Sequence, residues 1–445
     1  MPKNDVTKAP RGSRGGLSRR DFVKKAGIGA SGLALSGSFP ALAQAAPADT
    51  LRVGFVSPLT GPLGGFGQGD PYILSIARKK LAHGIVIHGK RYAVKIISKD
   101  TESDPTRASQ LAKELINRDK VDLMLSTSTP EVVNPVADAC EAAGMPSLST
   151  TVPWESFYFG RGAKPGKPSP FKWSYLFSFG VEQFAQAYIS MWNGPVKTNK
   201  RVGFLLPNDA DGNAIREHMV PLIEKAGFTT IDAGPYEDGT TDYSAQIAKF
   251  KAEKCEIFNT FPIPPDFAVF WRQAAQQGYT RMVKIAQIAK TGLFPSQVEV
   301  LGSLGYNLAT GAYWTPTFPY KSSLTGLTSP KLTANYEKAT GHQWNQQVGM
   351  SLALLDGGFA ALKQSSNPKS KAAVAKALST LKDTTIIGPI DFTKGPVPNC
   401  YPTPIIGSQW VKAKPGSKYK LDLVVTDNAD DRHVPVAAKL KPYNA

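Results

Sequence analysis

The sequence predicts an α/β protein built from two similar halves. From residue 51 to residue 158, short apolar strands alternate with amphipathic helices, which is typical of a parallel sheet covered by helices on both faces. A Gly-, Pro- and Lys-rich loop at 160–170 interrupts the alternation, and a second run of the same kind begins at residue 201. With 445 residues and 42% hydrophobic content, the chain is long enough to build two or three separate cores.

The first half begins with a predicted strand at 51–56, followed by a glycine-rich loop at 57–69 and a helix at 71–81. A second strand is expected at 91–98. Asp104 and Pro105 then mark a helix start, because apolar residues follow them at helical spacing. The glycine-rich loop is therefore predicted to lie at the carboxyl end of the first strand.

Two hydroxyl-rich loops lie one helix apart, and each directly follows a short apolar strand. The strands are expected at 123–125 and 146–148, and the helix between the loops begins at Pro130 and ends at Gly144. Ligands of open α/β sheets lie outside the carboxyl ends of strands, where N–H groups at helix starts attract anions. One such hydroxyl often serves only as a helix cap, but seven exceed that need. We predict that a carboxylate binds among Ser126, Thr127, Ser128, Thr129, Ser149, Thr150 and Thr151.

The second half repeats this architecture and ends in a mainly helical region before strand-like sequence returns at residue 386. Its alternation predicts a second parallel sheet. The predicted strands are 201–206, 228–233, 256–260, 281–286 and 309–316, and the predicted helices are 211–226, 243–254, 266–277, 329–340, 347–363 and 369–381.

Residues 1–45 have the pattern of a twin-arginine export signal. Arg19 and Arg20 precede a weakly apolar segment at 26–39, and Ala43-Gln44-Ala45 fits a cleavage site with small residues. No cysteine follows that site, and no later stretch approaches the roughly 20 apolar residues of a membrane span. We therefore expect export by the twin-arginine translocase and a mature protein in the periplasm.

The positive charge of the chain does not indicate a nucleic-acid partner. The formal net charge is +17, and removing residues 1–45, with their eight Lys/Arg and two Asp/Glu, leaves +11. These charges are spread out, and no basic run is interleaved with aromatic residues. We interpret them as a solvated surface.

The cysteines and histidines indicate neither a metal site nor a cofactor. The five histidines are scattered, and no Cys or His spacing resembles a metal site. Of Cys140, Cys255 and Cys400, a bridge between Cys255 and Cys400 is the most plausible pair, but three unpaired thiols fit the sequence equally well.

Several short motifs, each weak alone, together resemble a known family. They are Thr60-Gly61-Pro62 with Phe66-Gly67, Asp100 with Asp104-Pro105, Asn134-Pro135-Val136-Ala137, Gly144-Met145-Pro146, and Phe270-Trp271-Arg272-Gln273-Ala274 with Gly278. Over nearly all of the mature sequence, the chain resembles type I periplasmic solute-binding proteins of the leucine/isoleucine/valine-binding family.

This resemblance implies two Rossmann-like lobes joined by a hinge of three strands, near 173–179, 313–316 and 386–390. Lobe 1 would comprise 46–175 and 314–386, and lobe 2 would comprise 176–313 and 387–445. The resemblance further implies that a ligand binds in the cleft by hinge closure, that the two hydroxyl loops hold its carboxylate, and that the partner is the membrane permease of an ABC importer.

The sequence departs from the family where its amino-acid binders carry an acid for the ligand ammonium. The corresponding stretch, 287–290, reads Gln-Ile-Ala-Lys and contains no carboxylate. An ammonium buried without a carboxylate would pay a large desolvation cost. We therefore predict a small carboxylate ligand without an α-ammonium, although Asp209, Asp211 or Glu182 would be able to replace the missing acid for an amino acid.

The other end of the ligand is predicted to be apolar or aromatic. Phe66 in the first loop, Trp154 after the second hydroxyl loop and Phe261 in a proline-rich loop of the second half suggest a wall of rings, although each is more often a packing residue. Lys290 is a candidate for a second cation near the cleft, although a single lysine more often points into solvent.

Two other classes of protein compete with a transport role. An exported enzyme is disfavoured, because Gly65-x-Gly67-x-Gly69 lacks the dinucleotide-binding spacing and the common hydrolase, metalloprotease and phosphate-loop motifs are absent from the sequence. A sensory module that passes a ligand signal to a membrane receptor has the same fold, so fold cannot separate it from a transport protein.

Overall fold

The computed structural model describes residues 49–444, so the predicted export signal lies outside the described residues. The strands are β1 Thr50–Ser57, β2 Ile85–Ile87, β3 Lys90–Asp100, β4 Leu123–Thr127, β5 Ser147–Thr150, β6 Ser174–Ser178, β7 Arg201–Leu205, β8 Thr229–Asp232, β9 Ile257–Thr260, β10 Ile285–Ile288, β11 Ala309–Ala312, β12 Lys382–Thr385, β13 Gly388–Asp391, β14 Cys400–Pro402, β15 Ile406–Lys412 and β16 Leu421–Asp427.

The helices occur between these strands, as the amphipathic pattern predicts. They are α1 Gly64–Gly67, α2 Asp70–Lys80, α3 Pro105–Asn117, α4 Pro130–Ala142, α5 Trp154–Tyr158, α6 Val181–Trp192, α7 Ala210–Ala214, α8 Val220–Lys225, α9 Ser244–Ala252, α10 Pro264–Gln276, α11 Pro295–Glu299, α12 Ser329–Thr340, α13 Gln346–Gln364 and α14 Lys371–Ser379. A π-helical segment, Ile215–Met219, joins α7 to α8.

The described chain forms two seven-stranded sheets, which confirms the predicted two-lobed α/β fold. The order of the first is β14-β6-β5-β4-β1-β3-β2, and all neighbours are parallel except β2 and β3. The order of the second is β16-β15-β11-β10-β9-β7-β8. Its strands are parallel from β11 to β8, while β15 and β16 are antiparallel. The sheets are therefore mostly parallel, with antiparallel strands at their edges.

The chain passes between the sheets three times, after β6, after β11 and after β14. The third passage lies later in the chain than the segment 386–390 that we expected, because β12 and β13 pair with each other as a hairpin. Strand β14 then pairs with β6 in the first sheet, and β15 belongs to the second. On this topology, we propose that lobe 2 resumes near residue 403.

Helix α13 lies in the centre of the first lobe. All its residues from Gln346 to Leu362 are buried, and it packs against β4 and β5. Helix α13 lies very close to β4, since a Cβ added at Gly358 would lie 2.9 Å from Leu125 Cδ2. This packing places the polar residues of its first turns beneath the loops that follow β4 and β5.

Two further features concern the described residues as a whole. No helix between residues 49 and 444 is long and apolar enough to cross a membrane. Cys140, Cys255 and Cys400 are all buried and unpaired. Cys255 lies two residues before β9 of the second sheet, whereas Cys400 begins β14 in the first, so the bridge left open by the sequence is not formed.

Candidate functional site

The two hydroxyl loops lie side by side at one edge of the first sheet. Strands β4 and β5 are parallel neighbours, with Ser126 opposite Ser149 and Thr127 opposite Thr150. Because both strands end at this edge, the residues that follow them face the space between the lobes.

Ser128 and Thr129 present free hydroxyl groups to a buried cavity in that space. Each residue is 1% exposed, and neither hydroxyl has a hydrogen-bond partner among the described residues. Thr129 is the N-cap residue of α4, yet its side chain caps no backbone N–H. Burying a hydroxyl without a partner is costly, so this pair is suited to receive a polar group of a ligand.

The backbone of both loops is held in an unfavourable conformation. Ser128 has φ 138° and Thr151 has φ 68°, in the range that glycine tolerates best. Each such residue costs about 1–3 kcal/mol, and residues of this kind cluster at binding sites. The surrounding packing therefore fixes the direction in which these two loops present their polar groups.

The remaining predicted hydroxyls bond to the protein itself. Ser126 Oγ and Ser149 Oγ lie 2.8 Å apart, and Thr150 Oγ1 donates to the Phe177 carbonyl oxygen at 2.8 Å. Thr127 Oγ1 lies 3.0 Å from Thr151 Oγ1. Of the seven hydroxyl residues, only Ser128, Thr129 and Thr151 line the cavity.

Two residues that the sequence analysis missed complete this end of the cavity. The Gln347 amide donates from Nε2 to Thr127 Oγ1 at 2.7 Å. Its Oε1 accepts from Thr151 Oγ1 at 3.2 Å and from the Tyr313 hydroxyl at 3.1 Å. Gln347 is one polar residue near the start of a long helix, and no local sequence pattern distinguishes it.

The second lobe contributes an ion pair to the opposite side of the cavity. Lys290 Nζ lies 3.0 Å from Asp211 Oδ2 and 3.3 Å from Asp209 Oδ2. Burial opposes the charge of Lys290, but the two carboxylates outweigh it and raise the lysine pKa well above its usual range. Burial also raises the pKa of Asp211 to about 6, against the attraction of Lys290. Lys290 therefore lines the cleft in its charged form, and its charge is balanced by the two carboxylates.

Asp209 and Asp211 have different roles around this lysine. Asp209 caps α7 by accepting from the Gly212 N–H at 2.6 Å, and it does not line the cavity. Asp211 does line it, and its Oδ1 accepts from Ser156 Oγ at 2.8 Å. Glu182, the third acid considered from sequence, is exposed and lies outside the cavity lining.

The strand that precedes Lys290 is shifted along the sequence from its predicted position. Strand β10 runs from Ile285 to Ile288, so Gln287 lies within it and is fully buried. Its side-chain oxygen accepts from Trp192 Nε1 at 3.3 Å. The stretch expected to form a loop therefore supplies only Ala289 and Lys290 to the cavity.

Aromatic rings form the walls of the cavity. Phe66 and Phe261 line it, as the sequence suggested, and they are joined by Phe179, Phe184 and Tyr313. The Phe179 and Tyr313 rings are stacked with centroids 5.3 Å apart, and the Phe184 and Phe261 rings meet edge to face at 5.4 Å. These rings come from both lobes and from the passages between them.

Trp154, expected from the sequence in the ligand wall, does not line the cavity, although its neighbour Pro153 does. Its ring packs against Phe159 at 5.7 Å and covers Gly180, where an added Cβ would meet the indole nitrogen at 2.3 Å. The residue therefore supports the first passage between the lobes.

The two lobes are closed on each other around the cavity. Phe66 of the first lobe meets Phe294 of the second with ring centroids 4.9 Å apart. The free volume inside is about 30 Å³, which is room for about two water molecules. This volume is far below the roughly 300–1,000 Å³ of typical small-molecule pockets.

A cleft with polar loops on one lobe, an ion pair on the other and rings between them defines a two-lobed protein that binds a small molecule. A family model described as periplasmic binding protein matches residues 50–402, and the chain belongs to this family. Family membership confirms the resemblance seen in the sequence, and it identifies a solute-binding protein and not an enzyme.

Solved structures share the fold at low sequence identity. A leucine binding protein from Thermotoga maritima has a TM-score of 0.69 at 16% identity, over 85% of this chain and 99% of that one. A solute binding protein of an ABC transporter from Rhodopseudomonas palustris, in complex with 3,4-dihydroxybenzoic acid, has a TM-score of 0.66 at 19% identity, over 85% of this chain and 99% of that one. Another from R. palustris, in complex with 4-hydroxybenzoate, has a TM-score of 0.68 at 16% identity, over 89% of this chain and 98% of that one.

Proposed function

We propose that this chain is the exported, periplasmic solute-binding component of an ABC importer, and that it captures a small aromatic or apolar carboxylate. The observation that carries the proposal is the pair of free hydroxyls on Ser128 and Thr129 at the start of α4. A carboxylate accepts several hydrogen bonds and is favoured by the positive end of a helix dipole. It would therefore satisfy both hydroxyls at once.

The rest of the cavity supports an aromatic body for this ligand. Rings such as Phe66, Phe179 and Phe261 favour a flat partner in stacked or edge contact. At the far side, the ammonium of Lys290 in its pair with Asp211 supplies a donor suited to a ligand hydroxyl. The two R. palustris proteins described above hold hydroxylated benzoic acids, so we expect a ligand of that type.

A branched-chain or aromatic amino acid is the second candidate, because Asp211 places a carboxylate in the cavity wall. The leucine binding protein of T. maritima has the same fold. Both oxygens of Asp211 are already engaged, one by Lys290 and one by Ser156. An ammonium would have to displace Lys290, so we place this candidate second.

Calorimetric titration of the mature chain separates the two candidates. The panel is benzoate, 4-hydroxybenzoate, 3,4-dihydroxybenzoate, methyl 4-hydroxybenzoate, leucine and phenylalanine. We expect the hydroxylated benzoates to bind and the methyl ester to fail, because the ester has lost the anionic oxygens. Binding of leucine or phenylalanine without binding of any benzoate would overturn the proposal and assign the ammonium to Asp211.

Matched variants test the hydroxyl pair itself. Ser128→Ala and Thr129→Val each remove a hydroxyl that faces the cavity, and each should weaken 4-hydroxybenzoate binding by between about tenfold and a hundredfold. Ser126→Ala is the control, since its hydroxyl is buried in the same segment but bonds to Ser149. Equal affinities for all three variants would contradict the role of Ser128 and Thr129.

Uptake measurements separate an importer from a sensory module. Cells that lack this chain should lose uptake of labelled 4-hydroxybenzoate at low external concentration, and the restored gene should return it. Unchanged uptake together with loss of a transcriptional response to the same compound would instead identify a sensory module.

A further inference from the structure

A chain of hydrogen bonds leads from the cavity to a buried carboxyl group in the first lobe. Thr151 and Tyr313, which line the cavity, both donate to Gln347 Oε1. Gln347 Nε2 donates to Ser351 Oγ at 3.3 Å, and Ser351 Oγ donates to Asp70 Oδ1 at 2.6 Å. Asp70 is therefore three hydrogen bonds away from the cavity wall.

The surroundings of Asp70 disfavour its charge. It is fully buried in the first turn of α2, Oδ2 has no hydrogen-bond partner, and no Lys, Arg or His of the described residues forms an ion pair with it. Burial raises its pKa to about 7, although the hydroxyls of Ser351 on α13 and Ser57 on β1 lower it in part. The titratable group that faces Asp70 from α12 is Tyr336, whose pKa is raised to about 12 chiefly by its own burial and to a lesser extent by Asp70.

The ionised form of Asp70 fixes the direction of every bond in this chain. A carboxylate only accepts hydrogen bonds, so Ser351 must donate to it and must accept from Gln347. The amide then faces Ser351 with Nε2 and faces the cavity side with Oε1. As a result, the hydroxyl protons of Thr151 and Tyr313 turn toward Gln347 and away from a ligand.

The protonated form permits the opposite direction. A carboxyl group is able to donate to Ser351, which frees the Ser351 hydroxyl to donate to Gln347. Half a turn of the amide places Oε1 toward Ser351 and Thr127, whose hydroxyls then donate to it, and places Nε2 toward Thr151 and Tyr313. The two hydroxyls then accept from Nε2, and their own protons are free to point into the cavity.

We propose that Asp70, acting through Ser351 and Gln347, sets the direction of the Thr151 and Tyr313 hydroxyl protons, so that carboxylate binding is coupled to the uptake of one proton by Asp70. A ligand carboxylate needs donors, and it therefore selects the arrangement that only protonated Asp70 allows. The proton comes from solvent and is released when the ligand leaves. Asp70 is a positioning residue in this scheme, and the scheme rests on the proposed carboxylate site.

The first test is calorimetry with 4-hydroxybenzoate between about pH 5.5 and pH 8.5, in buffers that differ in ionisation enthalpy. Proton uptake on binding weakens affinity by up to about tenfold for each pH unit above the pKa of the free protein. We expect affinity to fall with rising pH and up to one proton to be taken up. Affinity and proton count independent of pH would overturn the coupling while leaving the carboxylate site intact.

Variants assign the effect to Asp70, since Asp211 also titrates near this range. The side-chain amide introduced by Asp70→Asn is neutral at every pH, and it both donates and accepts hydrogen bonds. Ligand binding to this variant should therefore lose most of its pH dependence. Asp356→Asn is the matched control: Asp356 is also fully buried with a pKa raised to about 7 by burial, but it bonds to Ser322, Leu324 and Ile386 and not to this chain. A wild-type pH profile in Asp70→Asn would overturn the proposal.

Two further measurements cover failure of a variant to fold and failure of the ligand to bind. Ser351→Ala keeps Asp70 and breaks the chain, so it should also remove the pH dependence. Infrared difference spectra of the protein alone should show carbonyl bands of protonated carboxyl groups that titrate near pH 7, and Asp70→Asn should remove one component of these bands while Asp356→Asn removes another. Bands that are unchanged in Asp70→Asn would overturn the coupling without any ligand, whereas an Asp70 component without carboxylate binding at any pH would overturn the proposed function and the coupling that rests on it.

Discussion

Replacing Lys290 by methionine tests whether the ion pair in the cavity wall holds the second lobe together. Lys290 is 7% exposed and Asp211 is 3% exposed, so the variant leaves a buried carboxylate whose remaining partner is Ser156. Removing one member of a buried pair costs about 3–5 kcal/mol, because the other charge is left uncompensated. We expect a loss of this size in the free energy of unfolding at about pH 8.

The pH dependence of that loss follows from Asp211. Its pKa is already raised to about 6 by burial, and it should rise further without the attraction of Lys290. An acid whose pKa is higher in the folded state contributes stability at low pH and loses it as the pH rises through the folded pKa. The cost of Lys290→Met should therefore be smaller at about pH 5 than at about pH 8.

Urea unfolding followed by tryptophan fluorescence at the two pH values measures this cost. The control is Lys284→Met, because Lys284 pairs with Glu256 at 2.9 Å in a more exposed site, with lysine and glutamate side chains 42% and 23% exposed. Its loss should stay within about 1 kcal/mol. The double variant Lys290→Met/Asp211→Asn should recover much of the stability. A loss in Lys290→Met that is no larger than in the control at both pH values would refute the argument.

Two more predictions concern a buried carboxyl group and the closed cleft. Burial raises the pKa of Asp356 to about 7, so its contribution to stability is present below about pH 4 and is lost as the pH rises through 7. The variant Asp356→Asn should therefore flatten the decline of the melting temperature over this pH range. An unchanged decline would contradict the assignment to Asp356. Phe294→Ala removes the ring that meets Phe66 across the cleft. Small-angle scattering should then show a larger radius of gyration than in the wild type, because the lobes separate more easily. Identical scattering curves would mean that this contact does not hold the lobes closed.

Much of the fold could be predicted because the signals are local. Alternation of apolar strands and amphipathic helices placed most elements within a few residues of their observed ends, including the helix that starts at Pro130 and the helix predicted at 329–340. The shift of β10 arose because the segment 283–288 mixes apolar residues with Lys284 and Gln287 and contains no residue that marks where pairing with β9 begins. Pairing between strands decides that boundary, and it depends on residues far along the chain.

The third passage between the lobes failed as a prediction for a related reason. Residues 386–390 were predicted as strand-like sequence, and nothing local shows whether they cross to the second sheet or turn back. They turn back because Gly388 adopts φ 123° and allows the hairpin with Lys382–Thr385. The crossing is therefore made only after Cys400–Pro402 has added a strand to the first sheet.

The sequence by itself determined that two α/β lobes form, that hydroxyl-rich loops follow two neighbouring strands, and that apolar rings and Lys290 lie near the carboxyl ends of strands. Only the tertiary structure decided which groups are free to meet a ligand. Thr127 is bonded by Gln347, which lies 220 residues away, and Lys290 is neutralised by acids about 80 residues away, whereas Ser128 and Thr129 keep their hydroxyls unpaired. A polar group is available when no partner reaches it, and the partners are brought within reach by packing between elements distant in sequence.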